Sequence, residues 1–152
     1  TADIDTFQGL YYYPIDCNAL FKGKIYKNDP MKVISVQATK GQTVSVYDYG
    51  TVVVSMGGED YNFQVYKNID TPDFGGQETI FIPFKDKTSG KTTFADGRYL
   101  IIQPGETEVV LDFNMAVNPW ENYNGIHSTL TVPPSNVIMG PVQSGERKYE
   151  DR

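Results

Sequence analysis

The sequence predicts an all-β domain, an antiparallel barrel or a tightly packed sandwich, finished by a proline-rich C-terminal wrap. Three observations predict it. Fourteen glycines and nine prolines are scattered along 152 residues, which leaves few windows long enough for a helix. Two segments place apolar residues at every second position, the signature of strands. Gly57-Gly58 sits between two such runs, as a two-residue hairpin turn would. The length suits one domain over residues 1–152, with about 1–5 and 147–152 expected to fray.

Taken in order, Leu10 to Tyr13 is an aromatic cluster ahead of Pro14. Met31 to Thr39 sets Val33 and Ile34 next to Val36, and Gly41 closes that strand. Thr51 to Met56 is rich in β-branched side chains, and Tyr61, Phe63 and Val65 alternate with polar residues after the turn. A turn at Gly57-Gly58 puts Val54 opposite Tyr61 and Val52 opposite Phe63, apolar on apolar. Next comes a strand over Arg98–Ile102. From Glu106 to Asn118, Val109, Leu111, Phe113, Met115 and Val117 occupy alternate positions. A three-residue loop at Pro104, Gly105 and Glu106 would set Arg98 opposite Asp112 and Leu100 opposite Val110. One face of that strand then carries Val109, Leu111, Phe113 and Met115, the other Val110, Asp112, Asn114 and Asn118. Pro119, Gly125, Pro133-Pro134 and Pro141 punctuate the tail, with one more short strand expected at Val137 to Met139.

Composition excludes several function classes. Thirteen basic and nineteen acidic side chains give a net charge of −6, which argues against nucleic acid, whose phosphates need a clustered cationic surface. A single cysteine excludes an internal disulfide, a CxxC zinc site and a cysteine-ligated iron–sulfur cluster. Cys17, flanked by Asp16 and Asn18, reads as a small core residue rather than a reactive thiolate. His127 is the single histidine and reads as a solvated loop residue, so any catalysis rests on carboxylates. Thr88-Ser89-Gly90-Lys91-Thr92 has the Gly-Lys-Thr of a P-loop but lacks the glycine five positions earlier, and reads as a polar turn. Asp70, Asp73 and Glu78 lack the spacing of a calcium loop. No run of about 18 apolar residues is present, so no membrane span is expected.

The residues best suited to hold a ligand are Asp86, Arg98, Tyr99, Asp112, Asn114, Asn118 and Trp120. Carboxylate, amide and guanidinium groups can hydrogen-bond a small polar or sugar-like molecule while Tyr and Trp stack on it. No cofactor and no metal is expected.

The block Phe84-Lys85-Asp86-x-Thr88-Ser89-Gly90-x-x-Thr93-Phe94-x-x-Gly97-Arg98-Tyr99-Leu100, followed by Val110-Leu111-Asp112-Phe113-Asn114-x-Ala116-x-Asn118-Pro119, resembles the family known as domain of unknown function 1684. Leu10-x-Tyr12-x-Pro14-x-Asp16, Pro133-Pro134-x-Asn136 and Gly145-Glu146 fit the two ends of the same pattern. The resemblance implies a small, mainly antiparallel β-domain of bacteria and archaea, without a known reaction. In many relatives two cysteines stand where this chain has Glu121 and Thr129, so a role resting on that pair cannot operate here. Relatives that look exported, together with a first residue that is Thr and not Met, lead to the expectation of a removed signal peptide and a location in the cell envelope or periplasm. The expected role is a binding or structural domain of the envelope. A carboxylate-dependent hydrolase using Asp86 or Asp112, and a protein-interaction module presenting a sheet edge, are the alternatives; the balance leans against an enzyme.

Overall fold

The computed structural model describes residues 12–39, 41, 43–69, 79–93, 95–118 and 130–147. The acidic loop of Asp70, Asp73 and Glu78, the positions Trp120, Glu121, His127 and Thr129, and the ends 1–5 and 148–152 lie outside the described residues.

The described residues form seven strands: β1 Leu20–Gln37, β2 Thr43–Met56, β3 Glu59–Asn68, β4 Ile80–Phe84, β5 Arg98–Ile102, β6 Glu108–Asp112 and β7 Ala116–Val117. They form one antiparallel sheet in the order β6-β1-β2-β3-β4-β5-β7, curled into a half-barrel. Strands β6 and β7 are the two sheet edges, yet only the 310 turn Phe113–Met115 separates them in sequence. Consecutive Cα atoms are about 3.8 Å apart, so so short a link forces the edges to approach at that end. The all-β prediction therefore holds in its curled form.

The β2–β3 hairpin has the predicted register, with Val54 opposite Tyr61 and Val52 opposite Phe63. Gly57 and Gly58 make its turn with φ of 59° and 82°. Two irregularities then divide the long strands. An extra residue in β2 between Asp48 and Gly50 reverses which of its side chains point inward, while the longer excursion in β1 between Lys27 and Lys32 leaves the alternation of β1 in phase. As a result Ile25, Val52 and Val54 join the core inside the curl, whereas Val36 and Val46 join Tyr66, Phe81, Tyr99 and Leu130 on the other face. Gly50 is required at this crossing, because a Cβ there would collide with the Tyr26 carbonyl oxygen. Strand β4 lies between the two cores, and its four consecutive residues Phe81, Ile82, Pro83 and Phe84 are all buried.

Pro83 offers no N–H to the strand ladder. On that side the β3–β4 pairing ends at Tyr66–Phe81, and the buried Asn136 side chain fills the gap. Its amide donates to the Gln64 and Pro83 carbonyls (3.0 and 2.8 Å), and its oxygen accepts from the Gln64 N–H (2.8 Å). One side chain thus replaces the missing ladder rung and ties down the C-terminal wrap.

Several expectations are corrected. Strands β5 and β6 do not form a hairpin: β5 pairs with β4 and β7, and β6 pairs with β1. Arg98 therefore faces Phe84 in the ladder, and Asp112 faces Leu20. Alternation fixed which face of β6 is apolar but not which strand it joins; Val109 and Leu111 fill the inner core from the β1 edge equally well. The strand also ends at Asp112. The 310 turn shifts the phase, so Met115 is 61% exposed although Phe113 is buried, and Asn118 is buried with Ala116. Cys17 lies exposed in the turn before β1, where the backbone folds back through the Ala19 N–H to the Asp16 carbonyl. Val137 makes one parallel bridge to Lys85 after a 310 turn at Pro134–Asn136, in place of a strand.

Candidate functional site

The strongest polar cluster is closed to solvent. Arg98 enters β5 from Gly97, whose φ is 105° and where a Cβ would lie 2.6 Å from the Phe84 carbonyl oxygen. The guanidinium points into the curl. Its Nη2 meets Asp86 Oδ2 at 3.0 Å, with the two side chains 1% and 0% exposed. Nη1 donates to the Ser144 and Glu146 carbonyls (2.5 and 3.2 Å), Nη2 also donates to Val142 (2.9 Å), and the Phe84 ring lies under the charge at 5.1 Å. Burial pushes the guanidinium pKa down, opposed by the charge and hydrogen bond of Asp86 and more weakly by Tyr13 and Glu146. The other Asp86 oxygen accepts from the Thr88 N–H (2.6 Å) and the Thr88 hydroxyl, which in turn contacts Thr93 Oγ1 at 2.9 Å. The Gly-Lys-Thr segment is thus a turn built around Asp86, as its sequence predicts. Every partner is internal, so this cluster fastens the wrap to the sheet and leaves no face for a substrate.

The remaining candidates are spread apart. Tyr99 points to the opposite core, where its hydroxyl accepts from the Leu130 N–H at 3.0 Å and its ring lies 5.0 Å from Phe81. Asp112 caps the 310 turn: its Oδ1 accepts from the backbone and side-chain N–H groups of Asn114, both at 3.0 Å. Asn114 holds Asp16 from both sides, accepting from its N–H and donating to its carbonyl, each at 2.9 Å. The Asn118 backbone N–H donates to Glu146 Oε1 (2.7 Å), while its buried side-chain Oδ1 has no hydrogen-bond partner among the described residues. The structure therefore joins Arg98 to Asp86 and Asp112 to Asn114, links Asn118 to Arg98 only through Glu146, and leaves Tyr99 on the opposite core. Among the described residues no three His, Cys, Asp or Glu side chains are grouped to hold a metal ion.

A pocket of about 410 Å3 opens elsewhere, at the end of the half-barrel between the segment before β1, the β2–β3 turn and the wrap. Phe21, Met56, Tyr61, Phe113, Ile138 and Val142 supply its apolar lining; Asp16, Asn18, Glu59 and Gln143 supply polar groups. The Tyr61 hydroxyl accepts from the Met139 N–H (3.0 Å), fixing the ring against the wrap. Val142 and Ser144, whose carbonyls Arg98 holds, form part of the pocket wall. Neither Asp86 nor Asp112 lines it. Asp112 borders a shallower groove of about 280 Å3 between β5 and β6. Sequence reasoning missed the pocket because its wall comes from the aperiodic wrap; the Met56–Glu59 turn was its one readable part.

A model of the family described as protein of unknown function DUF1684 matches residues 5–147. The chain belongs to the DUF1684 family. Its Asp86–Arg98 block, part of the motif on which the resemblance rested, is the fastening described above. The DUF1684 fold seen here is similar to the solution NMR structure of an uncharacterized protein of Haloarcula marismortui. The two share 25% sequence identity and a TM-score of 0.73, over 99% of this chain and 82% of that one. No curated protein matches the chain. No helix among the described residues is long and apolar enough to cross a membrane.

Proposed function

We propose that this DUF1684 domain is a non-catalytic binding domain that holds a small ligand in the pocket at the open end of its half-barrel. One observation carries the reading: the pocket's wall is fixed in place by the buried Arg98 (its carbonyl bonds at 2.5 to 3.2 Å), so a ligand meets a preformed surface. Its volume of about 410 Å3 falls in the range of small-molecule sites, roughly 300–1,000 Å3. A hydrolase reading has less support, because Asp86 is sealed in an ion pair and Asp112 is engaged as a turn cap. A cell-envelope location belongs to the same proposal and rests on likeness to exported relatives; fractionation of the source cells tests it.

Gly140 gives a clean test. It lines the pocket, and a Cβ added there would meet nothing within 4 Å. Gly140→Trp should keep the fold and obstruct the mouth. Titration of the isotope-labelled protein with a small-fragment library should shift amide signals of Gly57, Gly140 and Val142 in the wild type, and Gly140→Trp should abolish binding. A library without effect on these signals, or fragments indifferent to the obstruction, would refute the proposal.

A further inference from the structure

The pocket is not neutral toward charge. Asp16 and Glu59, both exposed, are the carboxyl groups among the described residues that line it, and no described Lys, Arg or His does; Asp16 Oδ1 also accepts from the Asn18 N–H at 2.9 Å. Among the described residues neither carboxylate takes part in an ion pair. Their positions are built, not incidental. Glu59 faces Met56 across the first rung of the β2–β3 hairpin, next to the glycine turn. The backbone of Asp16 is clasped by Asn114, and Asn114 is clasped by Asp112. Asp112 and Asn114 are therefore positioning residues for the rim.

Three aromatic rings also line the pocket: Phe21 is half-buried, while Tyr61 and Phe113 belong to the core and are 8% and 2% exposed. Phe21 and Phe113 meet edge to face with centroids 6.0 Å apart, and Tyr61 is stacked on Phe63 at 5.4 Å. Carboxylates attract cations over a long range, and the apolar lining suits the body that carries the charge. The net charge of −6 acts in the same direction and opposes an anion.

We infer that the pocket selects a small organic cation: an ammonium group held between Asp16 and Glu59, joined to an aromatic or aliphatic body seated on the rings. This rests on the proposed binding function and adds the class of ligand. Three probes of one shape separate the two claims: phenethylammonium, 2-phenylethanol and phenylacetate, each titrated into the labelled full chain at low salt. Phenethylammonium should bind best, about tenfold more tightly than the alcohol, from two exposed carboxylates acting on the ammonium together. Phenylacetate should be weakest. In the paired variant Asp16→Asn, Glu59→Gln the ammonium preference should vanish while the alcohol still binds, and added salt should erode it in the wild type. Equal binding of all three, or tighter binding of phenylacetate, overturns the cation inference and leaves the pocket a ligand site. Silence of all three at the pocket amides overturns both.

Discussion

The Arg98 cluster and the pocket share the wrap and differ in almost everything else. Around Arg98 the wrap presents the carbonyls of Val142, Ser144 and Glu146, and every charge is enclosed and paired inside the protein. Two residues of that same stretch turn their other side to the pocket, where Asp16 and Glu59 remain open to solvent without an ion-pair partner among the described residues. The difference teaches that charge density in a sequence does not locate a site. A buried pair is costly to desolvate, so it persists where it is fully satisfied, as architecture; a binding surface keeps capacity unspent.

Breaking the comparison from the closed side should have the largest effect. Arg98→Met leaves Asp86 buried without its counter-charge and frees three wrap carbonyls, so a loss of about 3–5 kcal/mol is expected in urea unfolding. Adding Asp86→Leu should return part of that loss, since an apolar pair avoids the stranded charge. If Arg98→Met alone were as stable as wild type, the cluster would not be the fastening.

A middle-sized effect is expected at Asn136. Asn136→Ala removes the three hydrogen bonds to the sheet and one from the Ser135 hydroxyl, and strands backbone groups of the half-buried Gln64 and the buried Pro83, for a cost of about 3 kcal/mol. Hydrogen exchange should show faster exchange at the Gln64 amide and in the wrap, with the β2–β3 hairpin little changed. Uniform loss of protection would show that the wrap and the sheet open as one unit.

Tyr61→Phe sharpens the open side. It deletes only the acceptor for the Met139 N–H, at about 1 kcal/mol by thermal unfolding. Its effect should be larger on fragment affinity than on stability, because the ring stays but the wall it anchors loosens. Equal affinity in the variant would mean that the wall holds its place without that bond.

Much of the fold is legible along the chain. Gly57-Gly58 and the flanking alternation specify the β2–β3 register, because a two-residue turn leaves a single pairing that puts apolar side chains opposite one another. The all-β class follows from the same local rules. The pairing of β6 with β1, instead of with β5, was not legible. Alternation in Val109 and Leu111 is satisfied by any neighbour of matching phase, and the choice of β1 depends on how far the sheet curls. The candidate site divides in the same way. Asp86, Arg98, Asp112 and Asn114 stood out by residue type, but their partners are Ser144, Glu146 and Asp16, distant in sequence and unrelated by period.

By itself, then, the sequence determined the all-β class, the glycine turn with its hairpin register, and a shortage of cations and of catalytic histidine and cysteine, all properties of residue type and short spacing. Tertiary structure alone decided that Arg98 pairs with Asp86, that Asp112 caps a turn, and that a pocket forms where the wrap crosses the barrel end. The physical reason is that hydrogen-bonding groups and cavities are satisfied across long loops, whose closure depends on the whole sheet and leaves no periodic trace in the chain.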